Sequence, residues 1–110
     1  MLNAILLFYY NAILQGNTDP IIIKDYIAVE AIIAKVDVTM ALHIAEAESK
    51  FNKEAVGDHG TSFGIWQIHN PQSKGLTKEQ AKDIVFSTTW SMNQLKQGNC
   101  RIWSTCNTSG

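Results

Sequence analysis

No excess of basic charge runs through this chain of 110 residues. Nine Lys and Arg stand against ten Asp and Glu, for a net charge of −1. Binding nucleic acid by counterion release needs a basic excess, so that class is set aside. Cysteine is scarce as well. Only Cys100 and Cys106 occur, and they form no pair of CxxC motifs for a structural zinc. No metal and no cofactor is expected. A short-loop disulfide and two free thiols both remain open. Repeats, long charge runs and alternating apolar segments are absent or few, which points to a mainly α domain. Hydrophobic residues make up 45% and charged residues 17%, so the chain reads as one small globular domain rather than a disordered one.

Charge is missing altogether before Asp19. Leu2 to Leu14 is apolar except for Asn3 and Asn11. That run is shorter than the roughly 20 residues a bilayer span takes. It resembles the core of a signal peptide but lacks a positive start and a small-x-small cleavage site. On a helix, Asn3, Asn11 and Gln15 fall within about a third of the circumference. An amphipathic helix, docked on the domain or lying on a membrane, is therefore an equal reading. Residues 1–20 are taken as an N-terminal segment and linker, and 21–110 as the domain. Membrane association through residues 1–15 and an extracytoplasmic location are expected, the location mainly from the substrate argued below.

Gly16 to Pro20 reads as a linker. Ile21 to Val36 reads as a helix with a broad apolar face. Asp37 can cap a second helix over Val38 to Lys50. Asn52 to Gly64 is a loop with room for a short strand or hairpin. Thr77 and Gln80 make a capping box for a helix from Lys78 to about Val85. A further helix is expected over Thr88 to Gln97, ended by Gly98.

Glu46 and Glu48 share the second of these helices. Two residues apart, they point about 200° from each other. Glu46 falls with His43 and Lys50 on the polar side. Glu48 falls with Ala41, Ile44 and Ala45 on the apolar side. Burial there and the carbonyl end of the helix both favour a protonated carboxyl, which is what a general acid needs. By itself the pattern fits a boundary glutamate bonded to nearby backbone amides better than a catalytic acid.

The neighbouring residues change that balance. Glu48-Ser49-Lys50-Phe51-Asn52 resembles the E-S-x-F-N signature of the lytic transglycosylase family. Phe63-Gly64-Ile65-Trp66-Gln67-Ile68 is similar to that family's G-L-M-Q-I segment, at about the same spacing. Tyr26 to Ala47 resembles its lead-in helices, and Phe86 to Leu95 the helix that completes its core. The resemblance covers roughly Ile21 to Trp103. It implies a small lysozyme-like α domain, with a groove for the peptidoglycan glycan strand. It also implies that Glu48 is the catalytic acid and that Ser49 stands beside it. Gly64 and Gln67 would line the groove, with the backbone near Ile65 and Ile68, and Trp66 lies within the same motif. A glycine there would let a sugar approach the backbone, and a glutamine amide can serve sugar hydroxyls and acetamides.

The same acid can run two reactions. An inverting hydrolase needs a second carboxylate to activate water, whereas a lytic transglycosylase does not. Gly57-Asp58-His59-Gly60 followed by Phe63-Gly64 resembles a stretch of goose-type lysozymes, in which the residue matching Asp58 is implied to position water. Those enzymes carry an aspartate where this chain has His69. An Asx turn is the plainer reading of Asp58, and an exposed loop residue that of His69. The balance favours lytic transglycosylation over a goose-type muramidase. Trp66 is open between core and groove, Trp90 is assigned to the core, and Trp103 is unassigned. Related domains continue with a further helix that closes the groove, often with a tyrosine, and no tyrosine follows Tyr26. The expectation is a truncated wall. A non-catalytic glycan-binding module stands as the rival to the enzyme. A monomer is expected.

Overall fold

The structure is a computed structural model, and it describes residues 2–108. Helices α1 (Leu2–Leu14), α2 (Pro20–Ala34) and α3 (Val38–Ser49) come first. A three-stranded antiparallel sheet follows, with β1 (Val56–Gly57), β2 (Ser62–Phe63) and β3 (Ile68–His69) in that order. Val56 pairs with Phe63, and Phe63 in turn pairs with Ile68. A 3-10 turn over Pro71–Lys74 leads to α4 (Lys78–Lys82) and α5 (Ile84–Lys96). A second 3-10 turn, Cys100–Ile102, precedes α6 (Ser104–Thr108). The architecture is mainly α and lysozyme-like.

Side-chain caps set most of the boundaries. Asp19 accepts from Ile21 N at 2.8 Å, and Pro20 fits the first turn, where its missing N–H costs nothing. Asp37 accepts from Met40 N at 3.0 Å and starts α3. Thr77 and Gln80 form the expected capping box. One boundary differs from expectation. The break between α4 and α5 falls at Asp83, not near Val85 to Thr88. Asp83 has extended backbone and accepts from Phe86 N at 2.8 Å, so it ends α4 and caps α5 at once.

Helix α2 is the centre of the packing, touching α1, α3 and α5. It buries Ile23, Tyr26, Ile27 and Ala31 against Ala41, Ile44 and Ala45 of α3 and Met92 and Leu95 of α5. Each fully buried isoleucine of this kind contributes roughly 1.5–3 kcal/mol. Burial pushes the Tyr26 hydroxyl up from its ordinary pKa, and its hydrogen bond to Glu30 Oε2 at 2.7 Å acts in the same direction.

The helix α1 docks on α2. Leu6, Tyr9 and Ile13 pack against the core, and Tyr9 donates to Asp25 Oδ2 at 3.2 Å. At about 100° per residue, these three lie opposite Asn3, Asn11 and Gln15. The asparagine stripe thus marks the outer face of a docked helix. That outer face also carries Leu7, Phe8 and Leu14, all exposed. Among the described residues, no helix is long and apolar enough to cross a membrane.

Candidate active site

The E-S-x-F-N residues make a helix terminus. Glu48 and Ser49 are the last two residues of α3, and Lys50 caps it in the left-handed region with φ of 54°. Phe51 follows, also left-handed with φ of 61°, which is a strained state for a bulky residue. Its ring is buried in the core, and that burial offsets the strain. Asn52 accepts from Glu54 N at 2.9 Å and completes the reversal. Ser49 Oγ donates to Ile65 O at 2.7 Å, with Ala45 O 3.2 Å away as the alternative acceptor, tying the helix end to the segment after β2. The chain therefore leaves α3 sharply, and Glu48 stands at an edge rather than inside a continuous helix.

The two glutamates separate as helical geometry requires. Glu46 is exposed with His43 and Lys50, while Glu48 is half-buried beside the fully buried Ala41, Ile44 and Ala45. Glu48 Oε2 accepts a hydrogen bond from Thr105 Oγ1 at 3.0 Å. Sequence reasoning missed Thr105. Its only trace was the spacing of Cys100 and Cys106, which form a disulfide around it. The wall expected to be truncated is occupied beside Glu48 by α6, which packs on α3. Its hydroxyl comes from a threonine rather than a tyrosine. A cleft of about 580 Å³ on the Glu46 side is lined by Ile21, Lys24, His43, Glu46 and Phe51 among others. Glu48 is not among its walls, so this opening lies away from the candidate acid.

Most of the residues expected to line the groove have structural duties. Trp66 is fully buried, and its Nε1 donates to Thr88 Oγ1 at 3.0 Å. It is a core residue, which corrects the assignment of its side chain to the groove. Ile65 and Ile68 are fully buried too, and Ile68 is held in the sheet. At most their backbone can meet a sugar. Gly64 has φ of +81°, and a Cβ there would lie 2.3 Å from the carbonyl oxygen of Ala81. The glycine is demanded by the approach of α4, a different reason from the one expected. Gln67 Nε2 donates to Ala55 O and to Gly64 O, each at 2.9 Å, and its Oε1 leans on Gly57. Its amide donors brace the loop.

Asp58 accepts from the fully buried Ser62 hydroxyl. His69 Nδ1 lies 3.1 Å from Ser62 Oγ and 3.7 Å from Asp58 Oδ2. Asn70 Nδ2 stands 3.1 Å from Nε2. The serine proton goes to the Asp58 carboxylate and not to the imidazole. This is a loop-stabilising network, not a nucleophilic triad. Asp58 and His69, separated in sequence, are brought together. Among the described residues, no group of three or more His, Cys, Asp or Glu could hold a metal.

The family model of the transglycosylase SLT domain matches residues 25–99. The chain belongs to that family. Membership carries, at family level, peptidoglycan as substrate class and lytic transglycosylase activity. The matched span of the SLT domain includes Glu48, the sheet and α5, and leaves α1 and α6 outside. No curated protein and no solved structure matches the chain.

Proposed function

We propose that this chain cleaves the β-1,4 bond between N-acetylmuramic acid and N-acetylglucosamine by lytic transglycosylation, with Glu48 as general acid and then base. The observation that carries this reading is the carboxyl of Glu48, half-buried at the end of α3 and oriented by Thr105, within the span matched by the family. In the first step Glu48 gives its proton to the glycosidic oxygen as the bond to the anomeric carbon breaks. The neighbouring acetamide of the substrate stabilises the resulting cation. The sugar's own 6-hydroxyl then attacks the anomeric carbon and returns a proton to Glu48. The product is a 1,6-anhydro sugar, and no water is consumed.

Hydrolysis assisted by Asp58 is the second reading. Against it, the carboxylate of Asp58 is engaged by Ser62 and faces His69. Glu48→Gln should lower the clearing of a peptidoglycan suspension by more than about a hundredfold, the usual contribution of a general acid. Mass spectrometry of the released fragments should show anhydro ends. Reducing ends would turn the reading to hydrolysis. A wild type that binds peptidoglycan but releases nothing would make it a binding module.

The disulfide and the substrate class both support an extracytoplasmic location. One chain supplies every group used here, which supports action as a monomer. The outward Leu7, Phe8 and Leu14 of α1, a helix with no charged residue of its own, support contact with a lipid surface. Neutral phosphatidylcholine vesicles should carry the wild type upward in a flotation gradient and leave a Phe8→Ser, Leu14→Ser variant behind. Equal flotation of the two would remove α1 from that role.

A further inference from the structure

The carboxyl of a general acid must present one chosen oxygen to the leaving group, and a half-buried Glu can still turn about its last bond. In this molecule a residue distant in sequence limits that turn. Thr105 Oγ1 donates to Oε2 of Glu48 at 3.0 Å, across 57 positions of chain. Thr105 lies beyond residues 25–99, so the family match does not supply it.

What places Thr105 is unusually firm for one turn of helix near the end of the described chain. Two residues before it, Trp103 is 2% exposed and donates from Nε1 to Trp66 O at 2.8 Å. Its ring packs on Trp66 and Trp90, with centroids 5.9 and 6.3 Å away. One residue after it, Cys106 is bonded to Cys100. The hydroxyl is therefore bracketed by an anchored indole and a covalent link.

We infer that Thr105 is a positioning residue for Glu48, and that Trp103 and the Cys100–Cys106 disulfide are its mount. The inference rests on the reading of Glu48 as the acid. A hydrogen bond donated to Oε2 makes that oxygen the acceptor and leaves Oε1 to hold and pass the proton. The same bond remains when the carboxyl is ionised between the two steps, so the group need not reorient before it acts as base. Holding the donor on a rigid mount sets this geometry before substrate arrives.

The test uses the whole chain and soluble glycan strands of defined length, with kcat and KM measured separately and melting temperature recorded for each variant. Thr105→Val keeps the shape and removes the donor. It should lower kcat about tenfold with KM little changed, the effect of one hydrogen bond to a charged group. Thr105→Ser restores the hydroxyl and should recover most of kcat. Replacing both cysteines by alanine should lower kcat by a similar factor, and adding Thr105→Val to that variant should lower it little further, since one device cannot be lost twice. A Thr105→Val enzyme with wild-type kcat overturns the inference while leaving Glu48 in place, and so does a Thr105→Ser enzyme as slow as the valine form. Cleavage that persists in Glu48→Gln overturns the reading beneath it as well. Were the valine variant to melt early, the serine variant at unchanged melting temperature still decides the point by its kcat.

Discussion

The two glutamates of α3 are the same chemical group on the same helix, two residues apart, and they live in different surroundings. Glu46 faces solvent with His43 and Lys50. Glu48 faces Ala41, Ile44 and Ala45 and is touched by a residue from the far end of the described chain. A helical turn creates the difference, and the elements packed around it make the difference chemical. The Glu48 side is enclosed by α6 on one flank and tied at its root to the segment after β2 through Ser49. Glu46 is exposed, on the wall of a cleft it shares with Ile21 and Lys24 of α2.

The largest effect is expected when the same charge is removed on each side of α3. Glu48→Gln should lower clearing by more than about a hundredfold, while Glu46→Gln should leave it within about twofold, since exposed charges away from a site change little. Equal losses would mean that the two faces do not differ in function. A second blow falls on the scaffold of the Glu48 side. Gly64→Ala forces a left-handed alanine against the Ala81 carbonyl and should destabilise the fold by more than about 2 kcal/mol. A urea midpoint unchanged by that substitution would show that the approach of α4 is softer than the geometry implies. The smallest effect comes from the root itself. Ser49→Ala removes the hydroxyl that reaches Ile65 O and should cost about 1 kcal/mol of stability. A larger fall in activity than in stability would show that this tie also sets the angle of Glu48.

Much of this was legible in the chain. Asp37, Thr77 and Gln80 announced their helices because a cap is a local hydrogen bond between residues two or three apart. The separation of Glu46 from Glu48 followed from the pitch of a helix alone. The short antiparallel sheet was anticipated only as a hairpin. Its three strands have two residues each, too few for any alternation to show. The position of the last helix break was misjudged because Asp83 plays two capping roles, and from sequence either helix could have claimed it.

The groove was harder to read. Phe63 to Ile68 looks like a strip of contact residues, and most of its side chains turn inward. Their identities are explained by packing: Trp66 against Thr88, Gly64 against Ala81, and Gln67 across to Ala55. A motif that marks a site need not touch the ligand, because holding a loop in place imposes equally strict demands on residue type.

By itself the sequence determined the helical class, the caps, the two faces of α3 and the family signature around Glu48. These depend on neighbours within a few residues, or on the order of motifs along the chain. Tertiary structure alone decided that α1 docks with its asparagines outward, that Trp66 and Trp103 are core, and that Thr105 meets the carboxyl of Glu48. Each of those is a contact between segments far apart in the chain, set by which apolar surfaces can close over one another, and no local pattern encodes that.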